Sequence, residues 1–439
     1  MPMLALRQTF AALGALLLCS FAPAQTAPTT EVTHIHCGTL LAVPGEPPRT
    51  EMTITVIDGK IEQISDGYTR PDDNATVIDL RDRFVLPGLF DCHTHITGQF
   101  SRNIRLRRLM EHDADAAIDG VVYAKRTIDA GFTTIRNVGS SGRAAFALRD
   151  AIKQNKVPGP RILVAGESIT PTGGHSDGTL GYREDIFEVP EAMQGVADGI
   201  AECRAAVRSQ VKRGADLIKL TATGGVLSNT AAGVEQQFFK DELRAIVETG
   251  HLLGRRVAAH AHGATGIKAA LEAGVDSIEH GTYTDDECIA LFIETGAFLV
   301  PTIHAGKFVA EKAEQEGYFM GPVRHKAAMV GPLMQETFGR AYRAGVRIAF
   351  GTDVGVGAHG TNALEFIYMT EAGMTNEDAI ISATINAAEL CDLSDELGTL
   401  EPGKIADVIA VDGNPLETIE ALLEVPFVMR DGIVFKHDD

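Results

Sequence analysis

Val85-Leu86-Pro87-Gly88-Leu89-Phe90-Asp91-Cys92-His93-Thr94-His95 carries an apolar strand directly into two histidines one residue apart. Side chains alternate along a strand, so His93 and His95 project from one face and can grip a metal ion together. A lone His-x-His pair arises often by chance. Here Lys219, His260, His280 and Asp353 follow at long range, each placed where another apolar run ends. The six residues together predict a two-metal hydrolytic centre.

The run that starts at Phe84 is followed by seven more: Thr133 to Val138, Arg161 to Ile169, Asp216 to Thr221, Arg256 to His260, Ser277 to His280, Phe298 to Ile303 and Arg347 to Asp353. Helix-length segments such as 190–213, 240–253 and 361–372 lie between them, which is the alternation of a parallel α/β sheet. Eight units favour a closed TIM-like (β/α)8 barrel over residues 85–394, and no glycine-rich dinucleotide fingerprint supports an open sheet. A barrel collects the C-terminal ends of its strands at one mouth, so the six residues would converge there.

The two ends of the chain differ from this pattern. Met52 to Ile64 around Asp58-Gly59-Lys60 reads as a β-hairpin, and Val428 to Phe435 around Asp431-Gly432 as a second. With Ile405 to Val411 they predict a small β-sandwich built from residues 25–84 and 395–439, entered through Gly398-Thr399-Leu400-Glu401-Pro402-Gly403-Lys404-Ile405-Ala406-Asp407. Residues 1–24 carry Arg7 as their sole charge, an apolar stretch from Phe10 to Leu18 and a small-x-small site at Ala22-Pro23-Ala24. They read as an export signal, with cleavage near Ala24 and a secreted or periplasmic mature chain.

Without that leader, 38 basic residues face 59 acidic ones, a net charge of −21, which argues against nucleic acid as a partner. No interior run is long and apolar enough to cross a bilayer, so no membrane association is expected of the mature form. The five remaining cysteines, Cys37, Cys92, Cys203, Cys288 and Cys391, lack zinc-finger or disulfide-framework spacing.

On these residues the chain resembles the amidohydrolase superfamily over essentially its whole mature length. The resemblance implies that Lys219, in Gly214-Ala215-Asp216-Leu217-Ile218-Lys219, is carboxylated on its amine and bridges two divalent ions. It assigns His93, His95 and Asp353 to one ion and His260 and His280 to the other, with Asp353 also the acid and base of catalysis. Histidine and carboxylate ligands favour zinc while allowing manganese, cobalt or iron.

Other positions are open between two roles. His262, in His260-Ala261-His262, either meets the substrate carbonyl or carboxylate or supports the site from behind. His175 follows the third strand and reaches the same mouth or lies exposed in its loop. Gly225, Val226 and Leu227 lie near substrate in similar proteins, or form a plain turn; Tyr283 and His304 either bind or pack. The stretch 305–330, with Lys307, Tyr318, Phe319, Met320, Arg324, His325 and Lys326, is expected to be a lid whose Arg324 meets a substrate carboxylate, or else a solvated amphipathic helix. His34, His36, His112, His251, His325, His359 and His437 are expected to be structural or solvent-facing.

Within the superfamily the resemblance is to the imidazolonepropionase-like branch that includes metal-dependent Xaa-Pro dipeptidases and ochratoxin-hydrolysing enzymes. It implies cleavage of an amide before a C-terminal apolar amino acid in a small carboxylated substrate, ochratoxin A among them, and a homo-oligomer. A deaminase of the superfamily would show His-x-x-Glu where this chain has His260-Ala261-His262-Gly263, and a cyclic-amide hydrolase of imidazolonepropionase type would lack the bridging lysine. A non-enzymatic zinc protein would close its site with cysteine and histidine, unlike the open set here.

Overall fold

The computed structural model describes residues 32–438 apart from positions 72, 74, 229, 231, 232 and 320. The leader at 1–24 and Met320 lie outside the described residues. Among the described residues there are fourteen strands: β1 (Val32–Leu40), β2 (Arg49–Ile57), β3 (Lys60–Asp66), β4 (Thr76–Pro87), β5 (Leu89–Thr94), β6 (Phe132–Asn137), β7 (Arg161–Val164), β8 (Ile218–Thr221), β9 (Val257–Ala261), β10 (Ser277–His280), β11 (Phe298–Val300), β12 (Val408–Val411), β13 (Phe427–Arg430) and β14 (Ile433–His437).

Both ends of the chain enter one seven-stranded sheet, ordered β14-β13-β12-β4-β1-β2-β3. Its two hairpin turns are those expected, with Asp58 and Gly59 at φ 49° and 80° and Asp431 and Gly432 at 52° and 75°. The turns also meet each other: a Cβ at Gly432 would stand 2.6 Å from the Cα of Gly59, so only glycine lets them touch.

The period of two along β4 then divides the interior. Val85 joins the core of the terminal sheet, with Ile35, Ile54, Val408 and Met429, whereas Phe84 and Leu86 face the larger core. Opposite them on β12, Val408 and Ala410 take the first side and Ile409 and Val411 the second. The quoted stretch therefore forms the wall between two cores before Gly88 passes it into β5; a Cβ there would overlap the side chain of Thr133.

The middle of the chain is parallel α/β. One sheet holds β5, β6 and β7 and another holds β8 to β11, and all their ladders are parallel. Isolated parallel bridges extend the pairing: Ile169 to Leu220, Leu299 to Ile348 and Thr94 to Val354. The eighth apolar run, 347–353, is thus held by single bridges and forms no regular strand. Its end is turned by Asp353, which sits at φ 59°.

Helices separate the strands. Lys240–Leu252, for example, buries Leu243, Ile246, Val247 and Gly250, one stripe at helical spacing. Most of the stretch 305–330 lies in two helices, Ile303–Glu314 and Gly321–Arg343, whose Val309, Ala313, Val323, Ala327, Val330 and Met334 share a core with Val226. Among the described residues, no helix is long and apolar enough to cross a membrane, and the five cysteines are buried and free.

The first of these helices starts on a buried carboxyl. Glu365 accepts hydrogen bonds from the Ile303 and His304 N–H groups at 2.8 and 2.6 Å. Burial pushes it up to about 8 from an ordinary 4.5, although both bonds pull the other way. Glu365 therefore holds its proton more tightly folded than unfolded, so its contribution is present below pH 4.5 and is lost as pH rises toward 8. Thermal unfolding of the wild type and Glu365→Gln should show a gap that narrows between pH 5 and pH 8. An unchanged gap contradicts this account.

Candidate active site

The ends of β5, β8, β9 and β10 and the turn at Asp353 open on one cavity of about 120 Å³. It is lined by all six residues marked from the sequence, His93, His95, Lys219, His260, His280 and Asp353. His175 and His262 join them.

One buried carboxylate fixes the first corner. Asp91 Oδ1 accepts from the His93 and Thr352 N–H groups at 3.0 and 3.2 Å, and Oδ2 accepts from Thr352 Oγ1 and Asn362 Nδ2 at 2.6 and 2.7 Å. It ties β5 to the residue before Asp353. Burial pushes Asp91 up to about 6, against the pull of these four donors.

The histidine rings are aimed by their outer nitrogens. His93 Nδ1 meets Glu279 Oε2 at 2.7 Å, His95 Nδ1 the Gly139 carbonyl at 2.9 Å, and His260 Nε2 the Gly224 carbonyl at 3.4 Å. These partners only accept, so each of those ring nitrogens donates and the opposite one offers a lone pair in the neutral ring. His280 and His262 are held at Nδ1 by Thr302 and Thr282 hydroxyls, both at 2.7 Å. Burial, and after it Lys219, pushes His95 down to about 4. Burial pushes His93, His260 and His280 further below the usual range. They are neutral at pH 7, the form that ligates metal.

Glu279 is itself braced. Its Oε1 accepts from Arg136 Nη2 at 2.8 Å and Ser277 Oγ at 2.5 Å, and Arg136 Nε donates to the Cys92 carbonyl at 2.5 Å. Glu279 and His280 are neighbours in sequence, yet one bonds His93 and the other lines the cavity with its ring 5.0 Å from that of His93. A regular strand would send them to opposite faces. His280 reaches the same side because its backbone is left-handed, at φ 73°. Thr302, its hydrogen-bond partner, and Asp353 are also left-handed, at 51° and 59°, so strained backbone gathers at this cavity.

Asp353 Oδ1 lies 3.6 Å from His93 Nε2 and 3.4 Å from His95 Nε2. It is buried and has no hydrogen-bond partner. Donor atoms of His93, His280 and Asp353 fall within 4.8 Å of one another, as do those of His260, His262 and His280. Lone pairs on neutral imidazoles beside an unsatisfied carboxylate oxygen are what a divalent cation requires, so the donor set fits. Lys219 is 3% exposed. Burial pushes its ammonium down to about 8 while Glu279 and Asp353 pull it up.

The remaining candidates divide. His175 stacks on His260 with ring centroids 4.2 Å apart, and Val226 and Leu227 line the cavity. Gly225 lies behind His175, where a Cβ would overlap the ring. Tyr283 is absent from the lining; its N–H donates to the His262 carbonyl at 2.9 Å. His304 is turned away to Thr361 Oγ1, 2.9 Å from its Nε2. Arg324 is exposed and donates to the Ala313 carbonyl at 2.8 Å, so it does not enter the cavity. The cation of this helix that turns inward is Lys326, which donates to the Gly225 and Ser228 carbonyls at 2.7 and 2.5 Å. Sequence reasoning also passed over Asp91, two residues before His93 in the same register, and Glu279, beside His280.

Residues 84–434 match the family model described as the amidohydrolase family. Ochratoxinase of Aspergillus niger is 33% identical over 434 residues, covering 92% of this chain and 87% of that protein. An imidazolonepropionase of Symbiobacterium thermophilum is 25% identical, over 92% of this chain and 94% of its own length. Among solved structures, a Xaa-Pro dipeptidase with bound methionine in its active site superposes with a TM-score of 0.89 at 46% identity, over 92% of this chain and 100% of that one. The chain belongs to the amidohydrolase family, and it is a hydrolase acting on amide C–N bonds.

Replacing Glu279 by Ala leaves Arg136 and His93 Nδ1 buried without their acceptor. Breaking one side of such a buried pair costs about 3–5 kcal/mol. Urea unfolding should show a loss of that order, and a loss below about 1 kcal/mol, the worth of an exposed pair, contradicts the assignment.

Proposed function

We propose that this chain hydrolyses the amide bond preceding a C-terminal apolar amino acid, on a centre of two divalent ions bridged by a carboxylated Lys219. The observation that carries the reading is the Asp353 carboxylate oxygen, buried, unsatisfied and facing the Nε2 atoms of His93 and His95. His93, His95 and Asp353 would hold one ion, His260 and His280 the other. Bound ions would supply a polarised amide carbonyl and an acidified water. A further support is the depressed Lys219 amine, whose neutral form is the one that takes up carbon dioxide.

In this reading the Asp353 carboxylate accepts the proton of the attacking water and passes it to the leaving nitrogen as the C–N bond breaks. In the metal-free protein, burial pushes its carboxyl up to about 8, Lys219 opposing. His175 and His262, each pushed by burial to about 3, stand neutral where a substrate carbonyl or carboxylate is received. Val226, Leu227, Val309, Val330, Met334 and Val356 form an apolar wall suited to the side chain of the released amino acid.

The relatives support the substrate class: one is an ochratoxinase, another a Xaa-Pro dipeptidase holding methionine. Ochratoxin A, cleaved to ochratoxin alpha and phenylalanine, is accordingly a proposed substrate. The parallel ladders and bridges fit one closed (β/α)8 barrel with a terminal β-sandwich, which we adopt as the architecture. Export behind the predicted leader and assembly into a homo-oligomer belong to the same proposal.

A panel of N-acyl amino acids and dipeptides assayed with metal-replete protein should show amide cleavage favouring apolar C-terminal residues. Asp353→Asn should lower kcat by about 10²–10⁴. Release of ammonia from aminated heterocycles without amide cleavage would reverse the reading.

A further inference from the structure

Beyond the catalytic cavity lies a second groove that shares His175 and Leu227 with it. Its outer wall is the helix Ile104–Met110, Ile-Arg-Leu-Arg-Arg-Leu-Met, which buries none of its residues. Arg105 and Arg108 line the groove with Asp177, Leu180, Tyr182 and Ser228. In a chain of net charge −20, two guanidinium groups at the catalytic mouth stand out.

Their neighbours are already neutralised. Arg107 is taken up by Glu111 and Asp119, and Arg183 by Asp185, whereas among the described residues Arg105 and Arg108 enter no ion pair. Asp177 does not serve them: its carboxylate accepts from Gly173 N, Thr179 N and Thr179 Oγ1 at 2.8, 2.9 and 2.7 Å. Both guanidinium groups are held over aromatic rings, Arg105 5.8 Å from the centroid of Tyr182 and Arg108 5.8 Å from that of Phe187. A Cβ at Gly178 would overlap the Arg108 guanidinium, so the loop carries glycine where the cation lies against it. These are exposed guanidinium groups, set against aromatic rings, with no carboxylate in ion-pair range among the described residues.

We propose that this groove is an outer subsite for a second anionic group, an aromatic carboxylate on the acyl side of the substrate. The assignment rests on the function proposed above: if the released amino acid fills the apolar cavity, the part that passes His175 into the groove is the acyl part. Tyr182, Leu180 and Leu227 supply an apolar surface for its ring, and Arg105 and Arg108 receive its charge.

Two isosteric substrates test this, N-(4-carboxybenzoyl)-phenylalanine and its 4-carbamoylbenzoyl counterpart. KM should be about tenfold lower for the carboxylate, with similar kcat, and the preference should shrink between low and 0.3 M salt, roughly as a partly exposed charge contact does. Arg105→Gln with Arg108→Gln should abolish the preference and leave the carbamoyl substrate within about twofold of wild type. Calorimetry with 4-carbamoylbenzoate and terephthalamide, which needs no turnover, should show the same charge preference in the holoenzyme. Absence of the preference in the unmodified enzyme, or its insensitivity to salt, overturns the subsite even where amide cleavage proceeds. Cleavage of neither substrate, with the calorimetric preference intact, overturns instead the function on which it rests.

Discussion

A buried chain of charge and hydrogen bonds, Arg136 to Glu279 to His93, holds the site together. It joins β6 to β10 and β10 to β5, so it spans the two parallel sheets that no continuous ladder connects. A carboxylate with no exposure is tolerable only when its partners are fixed, and Glu279 has three: a guanidinium, a hydroxyl and an imidazole N–H. The geometry of His93, and with it the distance to Asp353, follows from this anchorage.

From that anchor the electrostatics of the cavity are set by what is left unpaired. Six imidazoles packed around one cavity cannot all be charged, and loss of solvent keeps the ligand candidates neutral. Lys219 and Asp353 are the ionisable pair among them, each pushed toward its neutral form by burial and pulled back by the other. Left-handed backbone at His280, Thr302 and Asp353 costs of order 1–3 kcal/mol at each position, which the surrounding packing must offset. A fold selected only for stability would place glycine there.

Much of this was legible in the sequence, because it follows from local periods. Alternation put His93 and His95 on one face, apolar runs ending in polar residues marked the mouth, and Asp58-Gly59 and Asp431-Gly432 announced their hairpins. What escaped the reading breaks those periods. Glu279 and His280 share a side only through a positive φ, and the run 347–353 is bridged without forming a strand. The helix Gly321–Arg343 stood only as an alternative to a lid, since Pro322, Gly331 and Pro332 interrupt it, although Val323, Ala327, Val330 and Met334 keep helical spacing. With the helix in place, Lys326 lies nearer the edge of that apolar stripe than Arg324 does, so Lys326 turns inward and Arg324 meets solvent. Nothing in a linear reading distinguishes the two cations.

The most direct test is a crystal structure of the enzyme grown with zinc and bicarbonate, with anomalous diffraction recorded at the zinc edge. The account predicts two anomalous peaks, one beside His93, His95 and Asp353 and one beside His260 and His280, with a carbamate on Lys219 between them. A bare amine at Lys219 together with a single peak or none would contradict it.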